Sequence, residues 1–139
     1  MMILLVAALG ISLYLSYVEL ADKESVCLEG EVFDCNAVQT HSTSKILGFP
    51  VAYGGVIANV VLLGMLLLEN RIPLLEESGV TLVFLAVLFG VMFSIYLIYL
   101  QAFVIEAYCI WCLTHEAMIT LLFGLSAWRL RKSLMGQPA

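Results

Sequence analysis

Four cysteines carry the chemistry open to this sequence, and they fall into two pairs. Cys27 and Cys35, with seven residues between them, share an acidic stretch with Asp22, Glu24, Glu29, Glu31 and Asp34. Cys109 and Cys112 form a C-x-x-C within Tyr108-Cys109-Ile110-Trp111-Cys112-Leu113. A C-x-x-C reads as a redox dithiol or as half of a zinc site. This one stands where a loop becomes the last long apolar stretch, so its thiols meet both water and the lipid phase in which quinones dissolve. That placement points to electron transfer between protein thiols and a lipid-soluble carrier.

Composition determines what must hold these thiols. With 63% hydrophobic and 12% charged residues and a mean hydropathy of +1.04, the chain is far more apolar than the roughly 45–50% of a soluble domain. It reads as an integral membrane protein. A net charge of -5 with only six Lys or Arg gives no reason to expect nucleic acid, which is met by a basic stripe. A helix needs about 20 apolar residues to cross a bilayer, and four segments qualify, at about 1–20, 48–68, 79–100 and 107–128. The expectation is an all-α membrane protein, one domain over 1–139 built as a four-transmembrane-helix bundle. No Lys or Arg precedes the first apolar run, so it reads as an uncleaved anchor rather than a secretory signal.

Basic residues near the span ends set the orientation. Arg71 lies between spans two and three, and Arg129, Arg131 and Lys132 follow span four, whereas the first connection holds only Lys23 and Lys45. Both termini are therefore expected in the cytoplasm, with the redox loop 21–47 and the turn Gln101–Glu106 extracytoplasmic. Disulfides form and persist on that side. The loop is shorter than the roughly 40 residues that fold without a staple, so a disulfide or docking on the bundle must order it. Weak helical periodicity over Ala37–Leu47 suggests a short surface helix, ended by Gly48-Phe49-Pro50 at the mouth of span two. A cytoplasmic turn is expected over Glu69–Ser78. Gly54 with Ala58 and Gly90 with Ser94 are small residues at i, i+4 that permit close helix approach.

A fourth helix beginning near Ala107 would put Cys109 in its first turn, where exposed N–H groups and the dipole stabilise a thiolate. Cys112 would lie roughly 4.5 Å deeper on nearly the same face. His115 and Glu116 continue that face, with Glu116 roughly 13 Å into the membrane. An ionisable group at that depth suggests function: Glu116 reads either as a proton relay or as a carboxyl bonded to a neighbour such as Asn59 or Ser94. Tyr96, Tyr99, Phe103, Tyr108 and Trp111 suit an interfacial belt, one or two of them stacking on a quinone ring. Two other readings use the same cysteines. Static disulfides could brace a non-catalytic scaffold, although a C-x-x-C bridge closes too short a loop to stabilise much. Cys109, Cys112 and His115 offer three metal ligands but lack a fourth, and no metal is expected.

The pattern resembles the vitamin K epoxide reductase family in its small prokaryotic form. The likeness rests on the loop pair Cys27 and Cys35, on Gly48-Phe49-Pro50 opening the second span, and on Cys109-Ile110-Trp111-Cys112 opening the last. Bacterial quinone-dependent oxidases with the same chemistry place their C-x-x-C in the first outer loop instead. The resemblance implies a helix bundle around a quinone, either menaquinone, ubiquinone or a relative, with electrons entering from a thioredoxin-fold protein. By that likeness Cys27 and Cys35 are the shuttle pair, Cys35 passes electrons to Cys109, and Cys112 faces the quinone. His115, Glu116, Tyr96, Tyr99 and Trp111 are the further candidates for the quinone pocket. A serine is expected about six residues after the second loop cysteine, where this chain has His41, with Ser42 and Ser44 nearby. Many bacterial members carry a fused thioredoxin-like domain; this sequence stops at Ala139, so a separate partner is expected. The activity implied is quinone-dependent thiol–disulfide oxidoreduction supporting disulfide formation, or, with the same residues, reduction of a quinone or its epoxide as the purpose.

Overall fold

The computed structural model of the chain describes residues 1–21, 34–40, 42, 45–46, 48–69 and 71–137. In chain order these form α1 (Met2–Leu20), a short α2 (Cys35–Thr40), the two-residue strands β1 (Lys45–Ile46) and β2 (Phe49–Pro50), α3 (Val51–Leu68), α4 (Pro73–Tyr99) and α5 (Ile110–Leu134). In lipid no water satisfies a backbone amide, so an apolar run must wind into a helix that pairs its own N–H and C=O groups. Four of the described helical stretches are long and apolar enough to cross a membrane. The expected helical membrane bundle is thus the observed one.

The helices enclose a core of Leu5, Leu62, Val83, Val87, Ile119 and Leu122, contributed by all four long elements. Helix α1 packs chiefly on α3, and α4 chiefly on α5. Large apolar side chains such as Ile3, Ile57, Ile95 and Leu121 point outward and are exposed, as lipid-facing positions of a membrane helix should be. At one end Arg129 Nη2 donates to Glu69 Oε1 at 2.8 Å, and Arg129 Nη1 lies 3.8 Å from Met1 Sδ. The start of α1, the end of α3 and the last turns of α5 therefore meet at one end of the bundle.

The boundaries depart from the sequence reading in physically instructive ways. Helix α4 begins at Pro73, which needs no acceptor because its ring nitrogen carries no hydrogen; the expected turn over Glu69–Ser78 shrinks accordingly. The outward turn expected over Gln101–Glu106 is instead a continuation of α4, wound as π-helix from Leu100 to Ile105 and stopped by Glu106 at a left-handed φ of 55°. Helix α5 begins at Ile110 rather than near Ala107, because Ala107 and Cys109 give their N–H groups to Gln101 and stay outside the helix. The surface helix is Cys35–Thr40 rather than Ala37–Leu47, and Lys45–Ile46 pairs antiparallel with Phe49–Pro50. Gly48, at φ 83°, takes the positive φ that this hairpin turn uses and that glycine adopts without penalty. The close approach of α1 and α3 falls at Gly55, where a Cβ would stand 3.1 Å from Ser12 Oγ; Gly54 has no such neighbour.

Candidate active site

The end of the bundle opposite Arg129 holds the described cysteines. Asp34 caps α2: its Oδ1 accepts the Ala37 N–H at 3.0 Å, the usual task of an N-cap aspartate. Its own N–H donates to the Tyr108 carbonyl at 3.0 Å. This single bridge sets a register. It lays the residue after Asp34 beside the residue after Tyr108, so Cys35 and Cys109 begin their helices as neighbours. Both are essentially inaccessible, at 1% and 0% exposure, in one apolar cluster with Val38 and Ala107 against which Trp111 and Cys112 pack. Cys35 is disulfide-bonded, whereas Cys109 and Cys112 are thiols. Cys27 lies outside the described residues.

Cys109 is the N-cap residue of α5, with extended φ and ψ of -105° and 117°. Its carbonyl accepts the Leu113 N–H at 2.9 Å and so opens the helix. Cys112 then falls in the first turn, within hydrogen-bonding reach of the Cys109 thiol. The dithiol thus sits at a helix N-terminus as expected, but with Cys112 rather than Cys109 inside the first turn, amid its unsatisfied N–H groups.

Beneath Cys112 lies a cavity of about 610 Å³ between the four long helices, within the roughly 300–1,000 Å³ of small-molecule sites. Its wall is almost wholly apolar, with Phe89 and Phe93 on α4 facing the small residues Gly54, Gly55 and Ala58 on α3. The polar groups on it are few: Cys112, His115, Asn59, Ser12, Ser94 and Glu19. Asn59 is their hub. Its Nδ2 donates to Gly55 O at 2.9 Å and to Ser12 Oγ at 3.2 Å, and stands 3.0 Å from His115 Nε2. Two amide hydrogens serve these three neighbours, and the role of Nε2 follows the imidazole tautomer. Asn59 Oδ1 is buried with no hydrogen-bond partner among the described residues.

The residues present fit a quinone. The apolar wall suits its ring, the Asn59 amide can donate to a carbonyl or accept from a hydroxyl, and a thiol and an imidazole share the same wall. A family model for the vitamin K epoxide reductase family matches residues 1–127 of the chain. The chain belongs to the vitamin K epoxide reductase family. It is therefore an integral membrane oxidoreductase of a class that couples thiol–disulfide chemistry to a quinone or its epoxide, generally alongside a thioredoxin-like protein.

The other candidate residues occupy different surroundings. His115 lines the cavity next to Cys112. Glu116 is buried at 4% exposure, off the cavity wall, with both carboxyl oxygens lacking a hydrogen-bond partner among the described residues. The bond to Asn59 suggested for it is made by His115 instead. Tyr96 and Tyr99 are half-exposed outside the cavity, packing on Phe93 at 6.1 Å and on Phe103 at 5.2 Å. Trp111 packs on Tyr14 at 5.2 Å. Ser42 is exposed, and His41 and Ser44 lie outside the described residues. Among the described residues no three His, Cys, Asp or Glu side chains converge as a metal site. Sequence reasoning missed Ser12, Phe89, Phe93 and Gln101, and took Asn59 only as a partner for Glu116. A polar amide inside an apolar helix was the available signal for Asn59 and Gln101.

Proposed function

We propose that this member of the vitamin K epoxide reductase family oxidises a separate thioredoxin-fold partner through Cys27 and Cys35, passes the electrons to Cys109 and Cys112, and delivers them to a quinone in the cavity. The observation that carries this reading is the double membership of Cys112, one half of the dithiol and part of the cavity wall. In the first exchange the partner's dithiol reduces a Cys27–Cys35 disulfide and leaves oxidised. Cys35 thiolate then attacks Cys109 Sγ, and the Cys109–Cys112 bond breaks with Cys112 leaving as thiolate. Cys27 displaces Cys109 from Cys35, restoring the outer disulfide and leaving two electrons on the inner pair. A bound quinone supplies the acceptor for those two electrons and two protons.

The chain's part in that last transfer is to hold and move protons. His115, with Nε2 held 3.0 Å from the Asn59 amide, puts an imidazole able to carry a proton on the cavity wall. Glu116, four residues beyond Cys112, sits one turn below it with both oxygens unpaired among the described residues, placed to take the thiol proton. The termini face the cytoplasm in this reading, with Arg71, Arg129, Arg131 and Lys132 on that side. A maleimide that cannot cross membranes should then label Cys27 of the reduced loop pair in intact cells; labelling only after lysis would invert the topology. The deciding test of function is the thiol state of Cys109 and Cys112 in membranes stripped of quinone and then reloaded. Reduced thiols without quinone and a disulfide after reloading support the reading. Thiols indifferent to quinone favour a scaffold with structural disulfides.

A further inference from the structure

We propose that Gln101 is the positioning residue for Cys109. The inference rests on Cys109 being the thiol that exchanges with Cys35. Gln101 lies where α4 leaves its regular winding, inside the π-helical stretch Leu100–Ile105, and is only 2% exposed. A π-turn within a helix is uncommon and recurs at functional sites. Burying a carboxamide among apolar side chains is costly unless it is hydrogen-bonded. Its Oε1 accepts the Cys109 N–H at 3.1 Å, and its main-chain carbonyl accepts the Ala107 N–H at 3.2 Å.

Together with the Asp34 N–H donated to the Tyr108 carbonyl, these bonds pin three consecutive residues, Ala107, Tyr108 and Cys109. The need is specific to Cys109. As an N-cap residue its N–H lies outside the helical ladder, and at 0% exposure no water reaches it. Without Gln101 Oε1 that donor would be buried and unsatisfied, and the segment carrying the sulfur would rearrange to satisfy it. Cys109 Sγ must meet Cys35 on one side and Cys112 on the other, and small misplacements of reacting atoms carry large rate costs. Gln101 touches neither of those sulfurs in this role. It fixes the backbone from which Cys109 reaches both. Nor is it on the cavity wall, so its effect on the thiols is separable from quinone binding.

The variants are Gln101→Met, which keeps length but removes the acceptor, and Gln101→Glu, which retains an Oε acceptor. The bond is present with Cys109 as a thiol, so losing it should destabilise the dithiol about tenfold relative to the disulfide, the scale of one buried donor left unsatisfied. The Cys109–Cys112 couple in Gln101→Met should then shift by about 30 mV to more negative potential. Formation of the Cys35–Cys109 bond should slow by about tenfold, with the ratio of bound quinone unchanged, and Gln101→Glu should recover both properties. An unchanged or more positive potential in Gln101→Met, or Gln101→Glu as impaired as Gln101→Met, would overturn the proposal. Amide hydrogen exchange on the wild-type protein decides independently if the variants do not fold. Protection of the Cys109 N–H supports the bond, and exchange at the rate of an open loop overturns it. Should wild-type protein reduce no quinone, the functional reading fails, while amide protection and the potential shift still decide the role of Gln101.

Discussion

Asn59 and Gln101 are the two carboxamides that the long helices bury in apolar surroundings, and they use their hydrogen-bonding groups differently. At the cysteine end, Gln101 turns its carbonyl onto the backbone and fixes Cys109. At the cavity, Asn59 gathers Ser12, Gly55 and His115 around its nitrogen and leaves Oδ1 without a partner among the described residues. An internally engaged amide holds geometry, whereas a buried acceptor left open is capacity for a ligand. The cysteine end therefore acts as a positioned reactive surface, and the cavity as a binding site. Cys112 is where the two regions meet.

Removing that junction should have the largest effect. Cys112→Ala separates the cysteine end from the cavity, so quinone reduction should fall to background. A disulfide between Cys35 and Cys109 should accumulate, because Cys109 can still attack Cys35 of the outer disulfide with Cys27 leaving, while Cys112, whose attack on Cys109 would release Cys35 again, is gone. Peptide mapping under non-reducing conditions would show it. Full quinone-reducing activity in this variant would remove the junction from the mechanism.

Asn59→Leu sharpens the comparison from the cavity side. It removes the open acceptor and the amide that contacts His115 at one stroke, so quinone-dependent thiol oxidation should slow by about tenfold. Stability should change little, since hydrogen bonds between membrane helices average about 0.6 kcal/mol. Exchange between Cys35 and Cys109, measured without quinone, should stay at the wild-type rate. A matching loss in that exchange would show that cavity and cysteine end are not separable regions.

The helix count, the span order and the C-x-x-C were legible in the sequence because apolar runs and cysteine spacing are local signals. What was not legible depends on contacts across the fold. The start of α5 moved because Asp34, distant in sequence, and Gln101, eight residues before Cys109, take up the Ala107–Cys109 segment. The aromatics of the cavity wall are Phe89 and Phe93 rather than Tyr96 and Tyr99. Helix α4 is apolar all round, so nothing in its periodicity says which face meets the other helices and which meets lipid. Glu116 illustrates the same limit from the polar side. Depth marked it as unusual, but only the structure shows that no described residue satisfies it.

Glu116→Leu turns that observation into a stability measurement. A carboxyl buried without a partner costs on the order of 1–3 kcal/mol, so the leucine variant should unfold at higher temperature while its quinone reduction falls. Gain in stability with loss of activity is the signature of a group retained for function. A variant that is both less stable and less active would indicate a structural partner for Glu116 instead.

The smallest effect belongs to the far end of the bundle, where Arg129 and Glu69 pair at 2.8 Å. Their side chains are 22% and 12% exposed, so water still reaches the pair, and a partly solvated pair contributes at most about 1 kcal/mol. Arg129→Ala should lower thermal stability by that amount, measured against a Glu69→Ala, Arg129→Ala double variant to isolate the pairwise part. The helix spans between this pair and the dithiol are held by apolar packing around Leu5, Val83, Val87 and Leu122, which does not depend on the charge at their ends. Thiol potentials and quinone reduction should therefore be unchanged. A shifted Cys109–Cys112 potential in Arg129→Ala would show that the two ends of the bundle are mechanically coupled, and the division into a reactive end, a cavity and an inert end would have to be redrawn.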